Sequence, residues 1–240
     1  MGHFVATACL LTTIFSGQSS TSLPWTFPSD VRERIRMSDL VLSGTIEDTF
    51  ALGVQIVDHT ELTGNLARVR VDRVFKGQSA GELQFMWFTF HFTGLGMIYA
   101  GPPDANFRTH KRYLIFLKQK ISGWVVAMPL YALEMELAPT PPSNALRDLS
   151  EAPSEQRYKA LAEELETAAL LVPAPQPGVT GWAATYFSAI FDLLGGCAEP
   201  FYRQFLFSPS PELRGAALNW LALILSRRMT CQHVVVPTMH

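Results

Sequence analysis

Six histidines and three cysteines carry the most specific side-chain chemistry in this 240-residue chain, and their spacing limits what they can do. His91 and His110 flank the glycine-containing stretch "TGLGMIYAGPP". If that loop brought them together, two imidazoles would bind a metal or exchange protons near neutral pH. This pair is the only enzyme reading the sequence offers. His59 stands with Asp58 and Glu61, but between two strand-like segments and without HExxH, HxH or CxxC spacing, so it reads as a solvated hairpin loop. There is no G-x-S-x-G, and no glycine loop leads into Lys-Ser or Lys-Thr. Glu163 and Glu164 read as an ordinary charged helix face. No catalytic residue, metal or cofactor is therefore expected.

The remaining candidates are contact surfaces and a covalent link. The segment from Phe92 to Lys111 carries Met97, Ile98, Tyr99 and Phe107 beside Pro102 and Pro103, an apolar content high for a solvated connection. These four residues are the candidate partner contact, with packing against the helical tail as the alternative. Phe85, Trp87, Phe88, Phe90 and Phe92 would serve as a stacking platform for single-stranded nucleic acid only with cations nearby, and Glu82 is the nearest charge. They read as core. Cys197 and Cys231 permit one disulfide in an exported chain, or stand as two unpaired apolar cysteines.

The elements that must position these residues fall into blocks. "SDVRERIRM" is a short helix that Ser29 or Asp30 would cap. Period-two alternation then begins: Ala67, Val69 and Val71 oppose Arg68, Arg70 and Asp72, and the alternation slips at "DRVF", predicting a bulge. "SDLVLSGTIEDTF", "GELQFMWFTFHF", "KRYLIFLK" and "GWVVAMPLYALEM" continue the series, the last interrupted by Pro129. Five such antiparallel strands predict a small OB-like barrel, because closure removes edges. Residues 138–153 are Pro/Ser-rich and read as a linker. Ser154 is placed to cap a helix with Tyr158, Leu161, Leu165 and Ala169 on one face. "WAATYFSAIFDLLGG" reads as a buried helix ending at a left-handed glycine, and Ser210 and Pro211 open the last helix.

Composition sets the outer bounds. At 48% hydrophobic and 17% charged residues, the chain is globular. Between Ser38 and Leu137 stand nine Lys and Arg against ten Asp and Glu, and the whole chain has a net charge of −2, so no nucleic-acid partner is expected. Residues 1–22 contain no charged side chain and an apolar run from Phe4 to Phe15, which is short for a membrane span and suits a signal peptide, cleaved or kept as an anchor. With it removed, no membrane span is expected, and the localisation is secreted or periplasmic.

In order, "SDLVLSGTIED", "ARVRVDRVFKG", "ELQFMWF" and "KRYLIFL" resemble the netrin-like domain, the OB-type barrel of the tissue inhibitors of metalloproteinases. Val74, Phe75, Lys76 and Gly77 match that family's V-[FL]-K-G strand end, and Tyr113 to Phe116 match its Y-L-[IV]-F line. Thr109, His110 and Lys111 stand where the family has a glycine. The family's inhibition uses an N-terminal cysteine that chelates the protease zinc; here no cysteine lies between Cys9 and Cys197, so that activity is not implied. "SPSPELRGAALNWLALIL" resembles the second helix of a HEAT or armadillo repeat, with Leu213, Ala217, Leu221 and Leu225 on its buried side. Solenoids need about three repeats to share a core, so one repeat implies a small helical bundle.

The sequence thus predicts an α+β chain: a signal peptide (1–22), a linker and short helix (23–37), a five-stranded netrin-like barrel (38–137), a linker (138–153) and a HEAT-like helical domain (154–232). The expected role is an exported, non-catalytic binding or structural module acting through protein contacts. The alternative is an extracytoplasmic inhibitor or modulator of a hydrolase using barrel loops.

Overall fold

The computed structural model describes residues 31–57, 60–92, 107–127, 135–141, 148–171, 182–229 and 231. Helix α1 (Val31–Met37) leads into β1 (Leu40–Val57), β2 (Thr60–Lys76), β3 (Glu82–Phe92), β4 (Arg112–Lys120), β5 (Gly123–Val126) and β6 (Met135–Leu137). Helices α2 (Ser154–Leu171), α3 (Trp182–Leu194), α4 (Glu199–Phe205) and α5 (Pro211–Ser226) follow, with a 3-10 turn at Gly195–Ala198. The class is α+β. Ser29, Asp30 and the expected signal segment lie outside the described residues.

The six strands form one sheet in the order β1-β2-β3-β5-β4-β6, and β1 also pairs with β4, so five strands close a ring. Strands β4, β1, β2 and β3 lie side by side in Greek-key order. Strand β5 completes the ring, parallel to β3 and antiparallel to β4. One edge of β4 serves two partners: Arg112–Leu114 pair with β6, and Leu117–Lys120 with β5. The segment that reads as a single fifth strand is therefore two short ones, each covering half of that edge. Pro129 lies between them, outside the described residues.

The irregularity expected at "DRVF" resolves into two bulges. Ser43 opposes Arg73 while Gly44 opposes Val71, leaving Asp72 as an extra residue; Val41 opposes Lys76 while Leu42 opposes Val74, leaving Phe75 as a second. Each extra residue reverses the alternation. Val71 and Val74 therefore join the apolar cluster enclosed by the ring, with Leu40, Leu42, Ile46, Val69, Phe85, Tyr113, Ile115 and Leu117. Phe75 points the other way and joins Val41, Leu114, Phe116 and the helices.

This second cluster is shared by sheet and helices. Leu161, Leu165, Tyr186, Phe187, Phe201, Tyr202 and Phe205 pack in it with Met135 and Leu137 of β6. The Pro/Ser-rich segment contributes as well: Leu149 is buried, its amide donates to the Val74 carbonyl at 2.8 Å, and Asp148 bridges Val74 in parallel. Residues 148 and 149 are thus anchored rather than part of a free connection. Cys197 and Cys231 are joined by a disulfide that ties the 3-10 turn to the chain beyond α5.

The helix ends follow local chemistry. Ser210 Oγ accepts from the Leu213 amide with Pro211 in the first turn, as the sequence predicts. Ser154 instead lies inside the first turn of α2, where its hydroxyl accepts from the Arg157 guanidinium. Gly195 takes φ 57° where α3 ends. On α5, Leu213, Ala217, Leu221 and Ile224 are buried and Leu225 is exposed, which corrects the expected fourth contact. At 3.6 residues per turn, residue 224 lies about 20° from Leu213 around the helix and residue 225 about 120° away.

Candidate protein-contact surface

The β1–β2 hairpin is the longest feature of the sheet, and along its outer half the exposed apolar residues stand on β1. Strand β1 pairs with β4 only through Leu40–Thr45, and Ile46 adds a last pair of hydrogen bonds to His110 and Lys111. Among the described residues, nothing pairs with that edge of β1 from Glu47 to Val57. On its other edge β1 remains paired with β2 as far as Val57 opposite Thr60, and β2 with β3 as far as Phe92. The result is a three-stranded arm, longer than the sequence predicts, with a backbone edge that no described residue pairs. The segment around Glu61, expected as a loop, is part of its ladder.

Large apolar side chains line that edge. Phe50 is 51% exposed, Leu52 38%, Val54 59% and Ile56 70%. A register shift between Ala51 and Gly53, where Gly53 adopts φ 140°, makes Leu52 the extra residue. Directly opposed residues share a face and faces alternate along β2, so Phe50, opposite Leu66, and Val54, opposite Thr63, project to opposite sides. An occupant of the edge would therefore meet apolar groups on both faces. On β2 and β3, Leu62 and Phe88 are buried, so exposure is concentrated on β1.

Beyond its root at Arg68, formal charge on the arm has one sign. Glu47, Asp48, Asp58 and Glu61 are the formal charges between Glu47 and Ala67, and Leu83–Phe92 contains no charged residue. At the root, Arg68 pairs with both Glu47, at 3.4 Å, and Asp48. One guanidinium thus faces two carboxylates.

The sequence-derived candidates are distributed differently. Phe107 is buried in the ring cluster, edge-on to Phe85, Trp87 and Tyr113 with centroids 5.1–5.3 Å apart, so it is core and not a partner contact. Met97, Ile98 and Tyr99 lie outside the described residues. His110 sits in the turn before β4, its amide donating to the Ile46 carbonyl at 2.7 Å. His91 is at the far end of β3, opposite Glu61. Ile46 is level with Val69, so eight residues of β2 separate the two histidine levels, on the order of 25 Å along the strand. The backbone register does not bring the pair together. Asp58 and His59 lie outside the described residues, and among the described residues no cluster of His, Cys, Asp and Glu is arranged to hold a metal. Phe85, Trp87 and Phe88 are buried, as a core reading of that strand requires.

Two arrangements escaped the sequence reading. Glu164, expected on a solvated face, is fully buried and receives both terminal nitrogens of Arg112, at 2.7 and 2.8 Å, and Arg73 at 3.1 Å. Arg112 also donates to Asp72 at 2.8 Å, Ser43 Oγ at 2.9 Å and the Ala138 carbonyl at 3.3 Å. The available signal was helical position: Glu164 lies between Leu161 and Leu165 on the apolar face of α2. Lys76 of "VFKG" donates to the carbonyls of Ile35, Arg36 and Ser38 at 2.8, 3.3 and 2.6 Å, closing the C-terminal end of α1. At Gly77, with φ 78°, an added Cβ would stand 2.5 Å from the Asp39 carbonyl oxygen. The motif residues are thus structural, joining α1 to the ring.

No protein-family model matches the chain, and no curated protein matches it either. No helix among the described residues is long and apolar enough to cross a membrane.

Proposed function

We propose that this chain is an exported, non-catalytic binding module that contacts a protein partner through the β1–β2 arm. The observation that carries this reading is the exposure of Phe50, Leu52, Val54 and Ile56 along an edge that no described strand pairs. Five strands closed in Greek-key order support an OB-type, netrin-like barrel as the scaffold. The Cys197–Cys231 disulfide supports an oxidising, extracytoplasmic compartment.

A photo-crosslinking amino acid at Val54 tests the reading in an exporting host. The control is the same probe at Ile121, fully exposed on the β4–β5 turn. The expected result is an adduct of discrete mass at position 54 and none at 121. Equal crosslinking at both positions, or none at either, would overturn it.

A further inference from the structure

We infer that the β1 edge takes an extended apolar segment of another protein, bracketed by Lys or Arg, as an added strand. This rests on the reading of the arm as a contact surface and specifies its occupant. The edge from Glu47 to Val57, which no described residue pairs, supplies main-chain donors and acceptors, the basis of recognition by strand addition. Its apolar stretch, Phe50 to Ile56, is bracketed by acidic groups: Glu47 and Asp48, two carboxylates that share the single guanidinium of Arg68, at one end, and Glu61, directly opposite Ile56, at the other. A strand of alternating apolar residues with a cation at each end matches that pattern.

A second copy of the chain does not. Antiparallel pairing of two β1 edges about Leu52 would set Asp48 of each copy level with Ile56 of the other, one strand away from that copy's Glu61. Each end of the joint would then hold three carboxylates, Glu47, Asp48 and the other copy's Glu61, against the one guanidinium of Arg68, which is unfavourable.

The test uses the purified full chain and three labelled nonapeptides, read by fluorescence anisotropy: KVTVTVTVK, its twin EVTVTVTVE, and KVTVPVTVK, in which proline removes a ladder donor. KVTVTVTVK is expected to bind, with EVTVTVTVE about tenfold weaker and binding weakened by salt. The proline peptide should bind more weakly as well. Val54→Lys/Ile56→Lys, at two exposed positions, should lose KVTVTVTVK binding while keeping its circular dichroism. Equal binding of the basic and acidic peptides, or binding of neither, would overturn the inference. So would a concentration-dependent dimer abolished by the double variant, because the second copy would then own the edge. If neither peptide binds while crosslinks at position 54 persist, the arm remains a contact surface and only the cation-bracketed strand is lost.

Discussion

Glu164 on α2 and Arg112 on β4 meet through two parallel hydrogen bonds, with neither side chain exposed to solvent. The pair joins the helices to the outer face of the ring; Arg73 donates to the same carboxylate, and Asp72, Ser43 and the Ala138 carbonyl accept from the same guanidinium. Removing one partner of a buried pair leaves the other's charge desolvated. Glu164→Gln should therefore cost about 3 kcal/mol, measured as a shift in the urea midpoint. Because sheet and helices share one apolar cluster, tryptophan fluorescence and far-ultraviolet dichroism should report a single coincident transition in the parent chain.

Lys76 and Gly77 should act through α1 and not through a ligand. Lys76→Met removes the cation that serves three carbonyls and should lower stability by about 2 kcal/mol. Gly77→Ala places a Cβ against the Asp39 carbonyl at positive φ and should cost about 1–3 kcal/mol. Hydrogen exchange should locate the loosened amides in Val31–Ser38 for the lysine variant.

Phe107→Ala distinguishes a core aromatic from a contact residue. Its ring packs edge-on against three others, so truncation should lower stability by about 3–5 kcal/mol. Crosslinking from position 54 should be unchanged at temperatures where the variant stays folded.

Glu166 supplies a pH dependence of defined sign. Burial raises its pKa above the ordinary 4.5, opposed by a hydrogen bond from Gln204. A carboxyl whose folded pKa is raised contributes stability that is complete below the unfolded pKa and lost as pH rises through the folded one. Glu166→Gln should therefore melt at a higher temperature than the parent chain at pH 7, and the difference should close as pH falls below about 4.5. A gap that widens on acidification would contradict the assignment.

Period-two and period-3.6 patterns in the sequence marked the helices, the inner halves of β1 and β2, strands β3 and β4, and the slip at "DRVF", because side-chain alternation is a local property of each element. The cap at Ser210 was legible for the same reason: donor and acceptor are three residues apart. What only the tertiary structure decided depends on partners distant in the chain. Arg112 and Glu164 lie 52 residues apart, so their pairing has no local signature, and a glutamate among leucines reads as a surface charge until a guanidinium is set against it. Phe107 reads as a loop aromatic until the ring closes around it. The length of the β1–β2 arm was also hidden, because "ALGVQIV" and "TELTGNL" contain glycines and too few alternating residues to mark strands by themselves. Pairing with each other and with β3 holds them extended, and pairing with β4 that stops at Thr45 leaves the apolar edge of β1 without a described partner strand.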